Sequence, residues 1–533
     1  MIKMSDKKRL IITIVSMLIL VVGVTFAYFI PQIGGGVLRK LNLVADTPDD
    51  LQFIGGGIKL KLTQFNLAQG GENLSNSTYV SAVLKANSTT NTATYTYNVY
   101  FNVKSNNFIY TTTEKKAEII LKVLDPNGNE ITTLDGLPYL DGSTTNGVSG
   151  FDITTLNGLK TIAENYTITS NSSNDYNYQD WNFSVTFINL DTNQVENEGK
   201  ELKAEIIMQQ DKLLTTLDEV CTNGDNLTNC ITTLSQKSIS GATNIYYHDS
   251  NLENGANDNS YRYAGPSDKV NNFICFGSTT SPCPTDNLYR IIGVIDGKVK
   301  LIKYDYMTTD ELGTDGDYSG AYTNGNSTYK GNNYANIASY YWNYKADTTI
   351  NNGYGSNTWS TGLFNKTNLN TNFLNYLGTE WSNKIAVTTW KVGGNTYDNI
   401  ADVIPSVAYQ NEIVNPTPGS TSTTGETEYN AKIGLMYVSD YGYAASPSVW
   451  TSTMSSYNDD TAINNNWMYM GLKEWTISRS LDNSRLVFIV YGDGDINNYG
   501  VYNSNAVRAV FNLESSVTYK SGTGTMSDPI LIN

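Results

Sequence analysis

Hydrophobic and polar positions alternate with a period of two from residue 58 to about residue 210. Residues 58–62 read Ile-Lys-Leu-Lys-Leu, and residues 95–100 alternate in the same way. In a third segment the large apolar side chains fall on one face: Trp181, Phe183, Val185 and Phe187. Such alternation predicts half-buried strands. Many short strands between polar turns predict an all-β sandwich of immunoglobulin-like size over 58–210.

The pattern becomes mixed in the C-terminal part. Residues 289–295 and 298–304 resemble strands and flank Asp296-Gly297, which predicts a tight hairpin. Two segments have helical spacing: Phe373, Leu377, Trp381 and Ile385 in one, and Ile337, Tyr341 and Tyr344 in the other. Seven of the eight tryptophans lie in this part. We therefore expect an α+β, Trp-rich module over 285–533.

A connector is predicted over 211–284, beginning with a short helix at 213–220. The four cysteines form two close pairs along the chain: Cys221 with Cys230, and Cys275 with Cys283. Outside the cell an even number of cysteines predicts disulfides, and four cysteines allow three pairings. We expect the two local pairings. A zinc site is the rival, but neither pair has the Cys-x₂₋₄-Cys spacing that such a site needs.

The N-terminus predicts an extracellular location. Four basic residues precede an uncharged run at 10–30, which is close to the roughly 20 residues that span a bilayer. This charge order places the N-terminus in the cytoplasm and the rest of the chain outside. Residues 1–30 are either a signal peptide cut after Ala27 or an N-terminal apolar helix that anchors the chain in the membrane. A linker is predicted at 31–57. The triplet Ala27-Tyr28-Phe29 resembles the signals of bacterial surface and matrix proteins.

Composition excludes two classes of function. The chain has 51 acidic and 35 basic residues, for a net charge of −16, and a basic patch for nucleic acid is not expected. Its single His excludes His-rich metal sites and mechanisms that use two imidazoles.

The C-terminal module resembles a domain of uncharacterised function in bacterial extracellular proteins. The likeness lies in these segments: Tyr289-Arg290-Ile291-Ile292-Gly293, Ala431-Lys432-Ile433-Gly434-Leu435, Trp475-Thr476-Ile477-Ser478-Arg479, Val507-Arg508-Ala509-Val510-Phe511-Asn512-Leu513, and Gly522-Thr523-Gly524-Thr525 with Asp528-Pro529. Ala509 stands where that family usually has Pro. The family is distantly similar to C-type-lectin and formylglycine-generating-enzyme folds, which implies a mixed fold with ligand-facing loops.

Two acidic runs are candidate calcium sites. Asp315, Asp317 and Ser319 alternate before a Gly, as do the first oxygen ligands of an EF-hand-like loop, although the expected Glu at position twelve is replaced by Asn326. The second run has the same spacing without the Gly: Asp493, Asp495 and Asn497. Ordinary solvated turns are the alternative reading of both runs.

Aromatic residues among Asn and Gly are candidate ligand contacts. The candidates are Tyr341, Trp342, Trp359, Trp467 and Tyr469. Exposed aromatic faces stack on sugar rings while amides bond to the hydroxyls. Alternatively, the tryptophans fill the core, because each buries a large area.

The leading hypothesis is a non-enzymatic bacterial surface or secreted protein. The sandwich would be a stalk and the C-terminal module an adhesin-like head that binds a surface glycan or protein. One alternative is a surface-layer or filament component that self-associates through edge strands. Another is a carbohydrate-active enzyme with paired carboxylates, for which the candidates are Glu380, Glu474, Asp482 and Asp493.

Overall fold

A computed structural model describes residues 41–43, 49–62, 72–89, 91–210, 212–238, 242–323, 329–346, 348–396, 400–418, 425–458 and 460–533. The chain divides into two compact units, Met1–Lys212 and Leu213–Asn533. Among these described residues, no helix combines the length and the apolar character needed to cross a bilayer. The predicted apolar segment at 1–30 and its cleavage site at Ala27 lie outside them.

The first unit is built from antiparallel strands. The strands are β1 (Leu41–Leu43), β2 (Asp50–Ile54), β3 (Gly56–Lys61), β4 (Leu74–Lys85), β5 (Ala93–Asn106), β6 (Ile119–Leu124), β7 (Tyr139–Leu140), β8 (Gly150–Asp152), β9 (Gly158–Ser170), β10 (Asn177–Phe187) and β11 (Glu201–Gln209). One sheet has the order β1-β2-β4-β10-β6-β8-β7 and the other the order β3-β11-β5-β9. A 3₁₀ turn at Val195–Asn197 precedes β11.

The inward faces of these two sheets share one apolar core, which gives a sandwich-like arrangement. Trp181 and Phe183 on β10 are buried, as the alternation predicts. The ring of Phe183 stacks on that of Phe101 from β5 at 6.1 Å between centroids. The Trp181 indole N–H donates to the Tyr97 hydroxyl at 2.9 Å. The core therefore satisfies the one polar group that the tryptophan brings into it.

Part of the predicted linker at 31–57 is sheet. Strand β2 pairs with β4 along its full length, and Leu51 and Phe53 on β2 are buried. The two apolar residues are separated by one position, so they point to the same face. The sheet of the first unit therefore begins before residue 58.

The second unit carries several smaller sheets. Its strands are β12 (Ile245–Tyr247), β13 (Tyr261–Tyr263), β14 (Phe273–Cys275), β15 (Leu288–Ile295), β16 (Lys298–Lys303), β17 (Tyr318–Ala321), β18 (Ala338–Tyr341), β19 (Thr388–Lys391), β20 (Gly394–Asn395), β21 (Glu428–Ala431), β22 (Ile433–Gly434), β23 (Glu474–Ser480), β24 (Leu486–Val490), β25 (Ile496–Gly500), β26 (Ser504–Asn505), β27 (Val510–Asn512), β28 (Tyr519–Ser521) and β29 (Leu531–Ile532). The largest sheet has the order β12-β13-β15-β16-β27-β22, with β14 also paired to β15.

The remaining sheets are β17-β18-β26, β19-β21, β20-β23-β24-β25 and β28-β29. The helices are α1 (Leu227–Lys237), α2 (Thr309–Leu312), α3 (Leu374–Ser382), α4 (Pro405–Tyr409), α5 (Val438–Ala444) and α6 (Asp460–Asn464). Two π-helical segments, Phe364–Phe373 and Gln410–Val414, lead into α3 and follow α4. The 3₁₀ turns are Leu217–Glu219, Thr285–Asn287, Lys330–Asn332, Ile350–Gly353, Trp359–Thr361, Pro447–Val449 and Met454–Ser456.

The predicted connector belongs to the second unit. Strands β12, β13 and β14 join the sheet that contains the β15–β16 hairpin. Both disulfides have the local pairings expected, Cys221–Cys230 and Cys275–Cys283. The helix of this region is α1, which contains Cys230, and the segment predicted to be helical at 213–220 contains only a 3₁₀ turn.

The helix predicted from Ile337, Tyr341 and Tyr344 is wrong. The segment forms β18, which pairs with β17 and β26. Ala338 and Tyr340 face the core with a period of two, so tertiary packing overrides the helical spacing of the neighbouring apolar residues.

The core of the first unit should be sensitive to one truncation on β10. Phe183→Ala removes a buried ring, and we expect a loss of about 3–5 kcal/mol in the free energy of unfolding. Hydrogen exchange of the β5 and β10 amides measures this loss within the unit. Tyr178→Ala on the same strand is the control, because Tyr178 is exposed and its loss should cost under about 0.5 kcal/mol. Equal protection in the two variants would contradict the sandwich core.

Candidate functional site

A cavity of about 300 Å³ lies in the second unit, beside the β15–β16 hairpin, β19, β27 and helices α4 and α5. We call it the Trp390 cavity. Its lining includes Arg262, Lys300, Trp390, Tyr409, Tyr437 and Asp440. Val387, which is exposed, and Asp296 in the hairpin turn lie at its rim. The volume is at the lower end of the range for small-molecule sites.

Aromatic rings form its walls. The Trp390 indole N–H donates to the carbonyl of Ala431 at 3.2 Å, which holds the ring in place across the β19–β21 pair. A Cβ atom at Gly434 would lie 2.6 Å from that ring, so only glycine permits this close approach. The Tyr437 hydroxyl bonds to the backbone of Lys391, accepting from N–H at 2.7 Å and donating to C=O at 3.0 Å.

The carboxylate of Asp440 is the centre of a buried charge network. Lys300 Nζ lies 2.5 Å from one oxygen of Asp440, and the Arg262 guanidinium lies 3.4 Å from the other. The same guanidinium pairs with Asp258 at 2.8 Å. Two cations and two carboxylates thus compensate each other away from water. A buried charge without such partners would be strongly destabilising.

Aromatic faces also surround the two cations. Lys300 Nζ lies 4.8 Å from the centroid of the Tyr437 ring and 5.7 Å from that of Trp390. Burial lowers the pKa of Lys300, although Asp440 opposes the effect. For Arg262, burial also favours the neutral form, but Asp258 and Asp440 outweigh it and raise the pKa.

Glu412 lies in the π-helical segment Gln410–Val414 and is buried against the start of α5. Its carboxyl oxygens accept the backbone N–H groups of Val438 at 3.1 Å and Ser439 at 3.0 Å, together with the Ser478 hydroxyl. Burial raises the pKa of Glu412 to about 7 despite these hydrogen bonds. The side chain thus accepts two N–H groups at a helix start, and the Ser478 hydroxyl oxygen also accepts that of Val438 at 3.2 Å.

His248 has a structural position next to the same network. Its Nδ1 accepts the backbone N–H of Ala256 at 3.0 Å, and its ring packs edge-on against Tyr443. Burial, with Arg262 nearby, lowers the pKa of His248 to about 3. The imidazole is therefore neutral at physiological pH and stabilises the 248–256 loop.

The lining of the cavity combines apolar and hydrogen-bonding groups. Asp440 is held by Lys300, Arg262 and the backbone N–H of Tyr437 at 3.0 Å. Asn512 and Thr388 add an amide and a hydroxyl to the lining. Across the described ranges, no group of three or more His, Cys, Asp and Glu side chains is arranged to hold a metal ion.

The first predicted calcium run does not converge on one point. Asp317 is buried, and its oxygens accept the backbone N–H groups of Lys345 at 2.8 Å, Phe364 at 2.9 Å and Tyr344 at 3.3 Å. Burial raises its pKa, which these bonds oppose. Asp315 and Ser319 are exposed instead, and Asp315 accepts from the Asn372 amide at 2.6 Å. Asp317 is thus an internal anchor for two loops, while Asp315 and Ser319 lie at the surface.

The second run lies in the β24–β25 hairpin. Asp493 is exposed and Asp495 is half-buried, and burial together with Asp493 raises the pKa of Asp495 to about 7. The amide oxygen of Asn497 accepts the backbone N–H of Asn498 at 2.9 Å. The structure therefore brings the two carboxyls together, while Asn497 is engaged with its own strand.

The tryptophans predicted to contact a ligand are core residues. Trp342, Trp359 and Trp467 are each at most 1% exposed. Trp342 donates to the carbonyl of Thr476 at 3.0 Å, and Trp467 donates to that of Tyr263 at 2.8 Å. Such rings are inaccessible to a ligand in solution.

The two tyrosines of that prediction are half-buried. The ring of Tyr341 packs on that of Tyr344 at 4.9 Å between centroids. The hydroxyl of Tyr469 donates to the carbonyl of Gly492 at 2.8 Å. Neither tyrosine lines the Trp390 cavity.

The acid proposed for a carbohydrate-active enzyme has a structural partner. Glu474 is buried, and both of its oxygens accept from the Arg508 guanidinium at 2.8 Å. Burial raises the pKa of Glu474, and Arg508 counteracts it. A bidentate pair of this kind holds the carboxylate in place and takes up its acceptor sites.

No known protein-family model matches this chain, and no curated protein sequence matches it significantly.

No residue that lines the Trp390 cavity was predicted from the sequence as a site residue. The local signal was weak: Lys300 is one of three lysines in the six-residue strand β16, and only the fold shows that it is buried between Val299 and Leu301. Arg262 likewise stands between two tyrosines on β13. A charged residue at a core position of a strand indicates a buried partner. The neighbouring sequence does not show which residue that partner is.

Removing the central carboxylate should destabilise the second unit. Asp440→Asn leaves Lys300 without its counter-charge and Arg262 with one, and we expect a loss of about 3–5 kcal/mol in the free energy of unfolding. Urea unfolding followed by tryptophan fluorescence measures this loss. Asp268→Asn is the matched control, because the exposed Asp268–Lys269 pair should contribute under about 1 kcal/mol. Equal midpoints for the two variants would contradict the network.

Glu412 should make stability depend on pH. The unfolded chain releases this proton near the ordinary value of 4.5, and the folded chain holds it until about pH 7. The stability that protonated Glu412 contributes to the fold is therefore complete below pH 4.5 and is lost as the pH rises through 7. Glu412→Gln has no such proton, so the wild type should lose up to about 3 kcal/mol relative to the variant over this range.

Urea midpoints of both proteins at intervals between pH 4 and pH 8 test this prediction. His248 acts in the opposite direction below pH 6.5, because its folded pKa is depressed, but it is present in both proteins and its effect cancels. Glu380→Gln, at an exposed position of α3, is the control. Parallel pH profiles for wild type and Glu412→Gln would show that Glu412 keeps an ordinary pKa.

Proposed function

We propose that this chain is a non-enzymatic extracellular binding protein of the bacterial surface, and that its second unit binds the end of a glycan in the Trp390 cavity. The carrying observation is a cavity of about 300 Å³ that combines apolar and hydrogen-bonding groups and whose buried charges are compensated internally. The first unit is an immunoglobulin-like sandwich that serves as a stalk. The apolar N-terminal segment either anchors the chain or is removed after Ala27.

The chemistry of the lining favours a neutral, hydroxyl-rich ligand. Lys300 and Arg262 already have carboxylate partners, so an anionic ligand gains little from them. The exposed Val387 offers an apolar contact to the C–H face of a sugar, and the exposed Thr389 adds a hydroxyl that can bond to the hydroxyls of the sugar. The volume suits one or two sugar rings and is too small for a folded protein ligand.

The location is supported by the two disulfides, which persist in oxidising compartments. The resemblance of the second unit to a C-type-lectin-like domain of bacterial extracellular proteins agrees with a mixed fold that binds through its loops.

Blocking the mouth of the cavity should abolish glycan binding. The purified chain is applied to a broad glycan array, and hits are measured by calorimetry. Val387→Trp places a large ring at the rim, so affinity should fall at least tenfold. Val195→Trp, at an exposed valine of the first unit, should bind as the wild type does. Absence of any glycan ligand, or equal affinity of the two variants, would overturn the proposal.

A filament component is the second candidate, because the 13-residue strand β9 ends its sheet. Two backbone carbonyls of β9 already accept side-chain amides from β10: Thr169 from Asn177 at 2.7 Å and Thr167 from Gln179 at 3.0 Å. These contacts cover part of the strand and favour the binding protein over the filament. A chain that remains monomeric at high concentration would remove this candidate.

A further inference from the structure

A second depression lies in the second unit, where the 350–355 loop meets the turn between β23 and β24. Its volume is about 380 Å³ and it is wide open to solvent. We call it the polar groove, and its lining is Asn351, Asn352, Asp482, Asn483, Ser484 and Arg485. The groove shares none of these residues with the Trp390 cavity.

Internal hydrogen bonds hold the groove in shape. The Asn351 amide donates to the carbonyl of Gly355 at 2.7 Å and its oxygen accepts the Ser484 hydroxyl at 3.1 Å, which ties the two walls together. The buried Asn357 amide reaches three carbonyls of the β23–β24 turn: Ser480 at 2.9 Å, Asn483 at 3.1 Å and Leu486 at 2.9 Å. A ligand would therefore meet a pre-formed surface, which lowers the entropy cost of binding.

Two exposed tyrosines stand beside the groove. Tyr354 is 43% exposed and Tyr502 is 36% exposed, and their ring centroids are 4.9 Å apart. The guanidinium of Arg485, a groove residue, lies 5.2 Å from the centroid of the Tyr354 ring. Large aromatic side chains at the surface next to a polar depression offer stacking faces and hydrogen bonds in one place.

We infer that the polar groove is a second carbohydrate site, which binds a neutral sugar residue of a polysaccharide. Tyr354 and Tyr502 stack on the sugar, and Asn352, Asp482 and Arg485 bond to its hydroxyls. Asp482 and Arg485 carry opposite charges, so the groove has no net charge to favour an ionic ligand. Its amide and hydroxyl lining excludes an apolar one.

A second site changes how the chain holds a polymer. When two sites on one unit engage the same polysaccharide, the second contact is intramolecular and raises the overall affinity without any new interface. The inference does not depend on the Trp390 cavity, because the groove can bind when the cavity is empty or blocked.

The test measures binding of the full chain to soluble polysaccharides by calorimetry. The neutral probes are a β-glucan, a mannan, a galactan and a chitin oligosaccharide, and the anionic probes are polygalacturonate and heparin. Tyr354→Ala and Tyr502→Ala remove the stacking faces, and Tyr354→Phe keeps one. Tyr247→Ala is the matched control, because Tyr247 is a similarly exposed tyrosine that packs on Tyr261, outside the groove.

At least one neutral probe should bind, and each Ala variant of the groove should weaken it about tenfold or more. Tyr354→Phe and Tyr247→Ala should stay within about twofold of the wild type, and thermal unfolding midpoints should agree among all variants. Combination with Val387→Trp separates the sites: binding that survives this variant and is lost with Tyr354→Ala belongs to the groove. Binding of anionic probes only, binding of no probe, or affinity unchanged by both groove variants would overturn the inference.

Discussion

The cavity of the second unit depends on the ion pairs that the buried carboxylate of Asp440 makes. This carboxylate joins the N-terminal turn of α5 to Lys300 on β16 and to Arg262 on β13. A carboxylate removed from water requires such partners. Helix α5 and strands β16 and β13 must therefore pack so that Asp440 reaches both cations. Once the cations are placed, the rings of Trp390 and Tyr437 pack over Lys300 and become the walls. The shape of the cavity is thus a consequence of charge compensation.

Buried polar side chains have the same role elsewhere in this unit. Asp317 accepts three backbone N–H groups from two loops, and Asn357 donates to three carbonyls of the β23–β24 turn. Loops of this length have few backbone partners of their own, and a buried side chain supplies them. The first unit uses the same device, because the buried Asn106 amide donates to the carbonyls of Ile153, Thr154 and Leu156.

Short-range patterns predicted the local elements well. The strict alternation that begins at residue 58 falls on β3, which ends at Lys61, and Asp296-Gly297 turns the β15–β16 hairpin with both residues at positive φ, 49° and 70°. The two disulfides also have the expected local pairing. Where long-range packing decides, the helix predicted at 337–344 was wrong, and the sequence left both an exposed and a core reading of the tryptophans open. Trp342 lies in a polar stretch that suggested exposure, but its indole N–H finds the carbonyl of Thr476, 134 residues away.

The sequence by itself determined the sheet-rich character of both units, the hairpin, the disulfide pairs and the acidic balance of the chain, because each follows from neighbouring residues or from composition. Only the tertiary structure decided which aromatic rings are buried and where the sites lie. Lys300 and Arg262 meet Asp440 across 140 and 178 residues. Partners this far apart in the sequence decide whether a side chain becomes a core residue, an anchor or a cavity wall. The reason is that desolvation and charge compensation are properties of the packed interior.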